Sequence, residues 1–288
     1  MPPTAYHAPE TVEQAVSLLS GDSGAQPLAG GTDLVVQMRS GRSAASSIVD
    51  LKRIARLQEI RREGDGFAIG AAVPCTALKK DKALLAAWPG VVEAANLIGS
   101  VQVRNRATMA GNLCNASPAA DSVPALVAAG ATCIIAGPDG EREVPVQDVP
   151  TGPGKTSLKS GEFVTEIRLP AQSRRGSDAY QRSIPRTEMD IAVVGVGAHI
   201  ELDDDGTCSA ARIAIGAAAP TVRLVEDAGK ALVGTKLDDA AVEKMMPAVR
   251  AACDPIDDKR GTIEYRKAMA GVLARRVIEV ARNRAGGN

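Results

Sequence analysis

Two glycine-rich segments hold the groups best suited to chemistry. The first reads Leu28-Ala29-Gly30-Gly31-Thr32-Asp33-Leu34, and the second reads Thr108-Met109-Ala110-Gly111-Asn112, followed by Asp121. Each sets small residues beside a hydroxyl or amide donor at a turn. Glycine admits positive φ and lets a bulky ligand approach the main chain. Successive turn N–H groups form a concave nest that suits phosphate. Two separated nests suit a long, doubly phosphorylated ligand better than a lone phosphate. The chemistry implied is binding. No acid–base pair or nucleophile dyad stands out, so no catalytic residue is named.

The elements that must position these segments follow from periodicity and turn residues. Thr11 to Ser20 reads as a helix with a Thr11/Gln14 capping box and an apolar stripe of Val12, Ala15, Val16 and Leu19. Gln26 to Ala29 is a short strand that feeds Gly30-Gly31, and Asp33 to Arg39 is a short helix beyond the turn. Ser47 to Leu51 is a strand, and Leu57 to Ala72 is a hairpin turning at Gly64-Asp65-Gly66. Leu84 to Leu97 is helical with a break at Pro89-Gly90, and Val123 to Ala129 is helical. Ala131 to Val146 is a hairpin, Pro150 to Gly161 a connector, and Glu162 to Leu169 a strand. The polar run Gln172 to Ser177 marks a domain boundary. Beyond it come a strand at Tyr180 to Ile184 and a hairpin pairing Ile191–Leu202 with Ala210–Ala217. Helices follow at Val225–Val233, Asp239–Ala252 and Ile263–Arg284. Strands and helices in irregular order point to α+β, not a doubly wound sheet.

Bulk properties narrow the function. The chain has 288 residues, a two-domain length. Its 34 basic and 34 acidic residues balance, so no net field draws it to nucleic acid or an anionic membrane. Aromatics are 2% of residues, too few for the stacking platforms of single-strand binders. Five widely spaced cysteines with no C-x-x-C, and two distant histidines (His7 and His199), suggest no metal or iron–sulfur site in this chain. Reduced, buried thiols fit a cytoplasmic protein. The N-terminus has no signal-peptide pattern, and no apolar run is long enough to span a bilayer.

Two motifs are decoys. Val149 to Thr156 ends in Gly154-Lys155-Thr156, yet Val149 stands where a P-loop needs its first glycine, and no amphipathic helix follows. Gly195-Val196-Gly197 lies in a strand-like run, and Ile200 replaces the third glycine of a dinucleotide fingerprint.

The two glycine segments survive this test. Thr32, Thr108 and Asn112 are donors for a phosphate, and the latter two also for a flavin carbonyl. Asp33 reads as a helix N-cap. Asp121 is either a helix cap or an acceptor for ribose or ribityl hydroxyls. Arg104 and Arg106 either pair with phosphate or are simply solvated.

The run Ile98 to Leu113 and its continuation Ala116 to Pro124 resemble the FAD-binding subunit of molybdenum hydroxylases. That family includes the medium subunit of carbon monoxide dehydrogenase and the flavin portion of xanthine dehydrogenase. Ala29–Leu34, Gly152–Thr156, Gly161-Glu162, and Arg186 with Asp190-Ile191-Ala192 agree in order and spacing.

The resemblance implies a vanillyl-alcohol-oxidase (PCMH)-type FAD-binding domain over residues 1–171, with lobes at about 1–55 and 56–171. A smaller α+β C-terminal domain would span 176–288. It implies that Leu28, Ala29, Gly30, Gly31, Thr32, Asp33 and Leu34, with Thr108, Met109, Ala110, Gly111 and Asn112, form the FAD-binding loops. Asp121 matches a flavin-contacting acid, and Ile98 and Val164 match apolar cofactor contacts. Arg182, Asp190 and Ile191 complete the set.

There are departures from the family pattern. Ala110 stands where glycine is common, and Arg182 where lysine is frequent, which changes the geometry of the charge. Ile191 replaces an aromatic of carbon monoxide dehydrogenases, which argues against carbon monoxide as substrate.

By the same resemblance the chain is an electron-transfer subunit. A large molybdenum-cofactor chain would oxidise substrate, and a small chain with [2Fe–2S] clusters would pass electrons to FAD and on to an external acceptor. A dimer of heterotrimers is the implied assembly. A stand-alone flavin reductase or oxidase, and a cofactor-free scaffold, are the alternatives.

Overall fold

The computed structural model describes residues 4–287. Its first layer is a parallel three-stranded sheet in the order β1-β3-β2, made of β1 (Ala5–His7), β2 (Ala25–Leu28) and β3 (Ser47–Asp50). Helix α1 (Val12–Gly21) starts as its cap residues dictate: Thr11 Oγ1 accepts from Gln14 N–H at 3.2 Å. The Gln14 amide reaches back one residue further than a standard capping box, accepting from Glu10 N–H at 2.9 Å. Val12, Ala15 and Leu19 of α1 pack with Val49, Leu51 and Phe163, which joins this sheet to the next layer. Helix α2 (Leu34–Arg39) follows the first glycine segment and buries none of its residues.

The second layer is a five-stranded sheet, β4-β5-β10-β6-β7. Its strands are β4 (Ile60–Glu63), β5 (Gly66–Gly70), β6 (Thr132–Gly137), β7 (Gly140–Pro145) and β10 (Phe163–Leu169). Both expected hairpins form, and Gly64 takes φ +58° at the first turn, which favours glycine there. Between β7 and β10 a small ribbon, β8 (Pro150–Gly152) and β9 (Lys155–Thr156), occupies the false P-loop segment.

The short helices α3 (Cys75–Leu78), α4 (Lys82–Ala87), α5 (Pro89–Asn96), α6 (Val101–Arg104), α7 (Met109–Cys114) and α8 (Ser122–Ala128) cover this sheet. Leu84, Trp88, Leu113 and Leu126 from the helical layer meet Phe67, Ile135 and Ile167 from the sheet in the largest core cluster. Fully burying each such side chain contributes about 1.5–3 kcal/mol.

The C-terminal sheet is antiparallel in the order β11 (Gly176–Ser183), β12 (Val194–Leu202), β13 (Cys208–Gly216), β14 (Arg223–Leu224). Helices α9 (Glu226–Leu232), α10 (Asp239–Ala251) and α11 (Ile263–Gly286) pack on it. Helix α8 also packs on it. A Cβ on Gly197 would lie 2.6 Å from the Pro124 carbonyl oxygen, and one on Gly216 would lie 2.6 Å from Pro124 Cγ. Gly197, half of the false dinucleotide motif, is therefore a packing glycine.

The first strand of the expected C-terminal hairpin begins at Val194 instead of Ile191. Residues 184–191 form a loop because their polar groups satisfy one another locally. Asp190 accepts from Arg186 N at 3.1 Å and from Ile191 N at 2.8 Å, and Met189 takes φ +52°.

The two halves meet along a polar seam. The Asp178 carboxylate accepts from Gly90 and Val91 N–H at 2.9 and 2.8 Å, capping α5. Arg284 pairs with Glu93 and donates to the Asp178 carbonyl at 2.9 Å. The Trp88 and His199 rings lie 5.1 Å apart between centroids. Gln172 donates to Ala87 O at 3.0 Å, which leaves its Oε1 to accept from His199 Nε2 at 2.7 Å.

Candidate cofactor site

The first glycine segment leaves β2 and turns into α2. Lys52 Nζ holds it from below, donating to Ala29 O at 3.1 Å while pairing with Asp50 at 2.6 Å. Gly31 takes φ +74°. Gly30 presses directly against the chain just ahead of the second segment: a Cβ there would lie 2.1 Å from Arg106 O. A loop off the parallel sheet and the α6–α7 connection of the helical layer therefore meet main chain to main chain.

The second segment is the first turn of α7. Thr108 is its N-cap, with Oγ1 accepting from Gly111 N–H at 2.9 Å. Asn112 Oδ1 accepts from Ser122 Oγ at 2.8 Å, which ties the loop to the start of α8.

Between the loops lies a cleft of ≈ 330 Å³, within the roughly 300–1,000 Å³ of ligand sites. It is lined by Leu28 through Leu34, by Ile98, and by Thr108, Gly111 and Asn112. Among the described residues, the N–H groups of Gly30, Gly31, Thr32, Asp33 and Leu34 have no acceptor within the protein, nor do those of Met109 and Ala110. A row of unpaired amides beside a polar cleft is the donor set a pyrophosphate requires. Asp33 is the single acid lining the cleft. Partial desolvation raises its carboxyl above the ordinary value, with Arg42 opposing, although the side chain still reaches solvent. These residues fit a dinucleotide cofactor.

Other expected residues lie elsewhere. Met109, Ala110 and Val164 are in the core behind the cleft, 3–5% exposed. Asp33 is not the expected side-chain cap. It sits at φ −97°, ψ −49°, already helical, and its carboxylate makes no capping bond. Asp121 is no cap either, for the same reason, with φ −59° and ψ −40°.

The Asp121 carboxylate instead accepts from Tyr180 Oη at 3.0 Å and pairs with Arg182 at 2.6 Å. Both Asp121 and Arg182 have nearly buried side chains, 9% and 3% exposed. Burial pushes the Asp121 carboxyl up to about 6, against Arg182 and Tyr180, which pull it down. Arg182 Nε is buried with no partner. Gly195 leaves room for the tyrosine, since a Cβ there would lie 2.5 Å from Tyr180 Oη. Asp190 and Ile191 sit in the 184–191 loop, with Ile191 half exposed. That loop touches the second segment's flank through Arg104–Glu188 at 3.4 Å.

Gln37, Asn115 and Gly154 also line the cleft. Gln37 follows Leu34 by three positions and Asn115 follows Gly111 by four. Helical periodicity from the loop residues is the signal that points to both.

The family profile described as "FAD binding domain in molybdopterin dehydrogenase" matches residues 2–172, more than half of the chain. The chain belongs to this family of FAD-binding subunits. A second profile, "CO dehydrogenase flavoprotein C-terminal domain", matches residues 178–281 of this FAD-binding subunit. It is 36% identical to the carbon monoxide dehydrogenase medium chain of Afipia carboxidovorans, covering 97% of each chain. It is 33% identical to the xanthine dehydrogenase FAD-binding subunit of Escherichia coli O157:H7, covering 98% of this chain and 97% of the other. Among solved structures, reconstituted CO dehydrogenase from Oligotropha carboxidovorans superposes with a TM-score of 0.94 at 35% identity, covering 98% of both chains.

The α+β class and the pairing of a FAD-binding domain with a C-terminal domain follow. The chain is an oxidoreductase subunit whose cofactor is FAD. Among the described residues no helix is long and apolar enough to cross a membrane.

Proposed function

We propose that this FAD-binding subunit relays electrons from the [2Fe–2S] clusters of a small partner chain through FAD to an external acceptor. A large partner chain would carry molybdenum and oxidise the substrate. One observation carries the reading: the unpaired main-chain amides of Gly30 to Leu34 line a cleft whose facing side is the Thr108–Asn112 turn of α7. Gly30 to Leu34 would hold the pyrophosphate, with Thr108, Gly111 and Asn112 on the facing side. The Tyr180–Asp121–Arg182 group would present fixed polarity near the same cofactor. Bound FAD supplies the redox chemistry, and the chain positions it and sets its surroundings.

The relatives support this division of labour, since they carry the names of medium chains and FAD subunits of dehydrogenases. The five cysteines of this chain are all free, four of them buried, in keeping with a reducing cytoplasm. We place it in a dimer of heterotrimers with the large and small chains.

The test is rapid mixing of the purified, flavin-loaded chain with its reduced partner chains. Flavin bleaching that requires the iron–sulfur chain supports the relay. Bleaching by a free substrate without partner chains would establish a stand-alone reductase instead. A chain that retains no FAD would overturn both readings. Asp121→Ala leaves Tyr180 Oη and Arg182 without their acceptor, a stability cost of about 1–3 kcal/mol, and unchanged flavin retention in that variant would remove Asp121 from the site.

A further inference from the structure

We propose that Gln37 and Asn115 form a clasp that sets the spacing of the two loops and so governs how fast the cofactor leaves. Gln37 Nε2 donates to Asn115 Oδ1 at 2.9 Å. The two residues are 78 positions apart, one on α2 and one at the C-cap of α7, and both line the cleft. Their side chains are partly buried.

The bond matters because α2 has little else to hold it. None of the residues of α2 is buried, and Val35 and Val36 are 40% and 54% exposed. An element without an anchored apolar face opens locally at low free energy. Behind α2 the Gly30 main chain rests on Arg106 O, which prevents the loops from closing further but does not stop them from parting. On the other side, Ala116 takes φ +50° and accepts from Gly154 N–H at 3.0 Å, fixing the chain just past Asn115. The clasp therefore joins a loosely held helix to a firmly held one. Gln37 and Asn115 are positioning residues: they act on the ligand by holding the amides that bind it.

This inference rests on the FAD reading, and its test has one arm that uses flavin and one that does not. Gln37→Met keeps the length of the side chain and removes the donor; Asn115→Ala removes the acceptor. In the flavin arm, release of FAD from the loaded full-length chain is followed by the recovery of free flavin fluorescence. Each single variant should release FAD roughly two- to tenfold faster, the range one hydrogen bond allows. The double variant should be no faster than the faster single, because both substitutions break the same bond. In the flavin-free arm, trypsin cleaves the apo chain after Arg39, at the end of α2. Cleavage should quicken by a similar factor in all three variants.

Multiplied effects in the double variant, or release and cleavage at the wild-type rate, would overturn the clasp. Wild-type protein that binds no FAD would remove the cofactor reading instead, while the trypsin arm still decides for or against the clasp.

Discussion

Gly30→Ala tests the closeness of the two loops most directly. The φ of Gly30 is not in the left-handed region, so alanine suffers no backbone strain there. Its effect comes from contact alone. The added methyl would meet Arg106 O at 2.1 Å, Arg106 C at 2.7 Å and Ala107 Cα at 2.9 Å. All three are main-chain atoms, which cannot swing aside as a side-chain tip can. Restoring a carbon–oxygen separation of roughly 3.3 Å from 2.1 Å parts the loops by about 1.2 Å. Overpacking of this kind costs about 1–3 kcal/mol of stability.

A shift of that size breaks a main-chain hydrogen bond to a charged phosphate, worth about 1.5–3 kcal/mol, or roughly ten- to a hundredfold in affinity. FAD should therefore bind roughly ten- to a hundredfold more weakly to Gly30→Ala, read by fluorescence titration of the apo protein. Gly21→Ala, whose Cβ would meet nothing within 4 Å, should leave affinity unchanged and lower stability not at all. FAD affinity in Gly30→Ala within about threefold of wild type, roughly 0.7 kcal/mol, would refute the claim that main-chain contact between the loops shapes the site.

Other outcomes follow from groups away from that contact. Arg182→Ala leaves Asp121 buried without its cation and should cost about 3–5 kcal/mol in urea unfolding; a loss under about 1 kcal/mol would mean that the pair is solvated. Thr108→Val removes the hydroxyl that caps α7 while keeping its shape, and should lower stability by about 0.5–2 kcal/mol, detectable as a fall in Tm. Burial, aided by Arg212, holds the His199 imidazole down at about 4. Its folded-state pKa is depressed, so the stability it confers is full above the unfolded value and fades as pH falls from about 6.5 towards 4. Between pH 7 and pH 5 wild type should lose about 2 kcal/mol that His199→Gln does not lose; equal losses in urea melts would show that His199 is protonated in the fold.

Much of the architecture was legible because its signals are local. The hairpins at Gly64-Asp65 and Gly137–Gly140, the break before Pro89, and the helices of the C-terminal part each announce themselves within a few residues. The parallel sheet did not, because β1 and β2 have three and four residues and their common partner β3 is distant in the chain. Such short strands carry no measurable period. The glycine loops were readable as loops, yet their meeting depends on Gly30 lying against Arg106, a long-range fact.

The caps misled for a related reason. An acid just ahead of a helix is usually an N-cap, but Asp33 and Asp121 already lie in helical backbone, and Asp121 is claimed by Tyr180 and Arg182 from another sheet. No local pattern reports a partner 59 or 61 positions away.

The packing of α8 has a consequence for modular reuse of this chain. Pro124 lies against two glycines of the C-terminal sheet, and Tyr180 and Ala214 belong to the same apolar core as Trp88 and Leu113. The second glycine loop thus stands on a wall whose far side belongs to the other half. A fragment cut at the boundary would expose that wall to water and let the loop sag. Any chimera that exchanges the C-terminal half must bring along glycines at the two contact points, or the cradle will tilt although none of its own residues has changed.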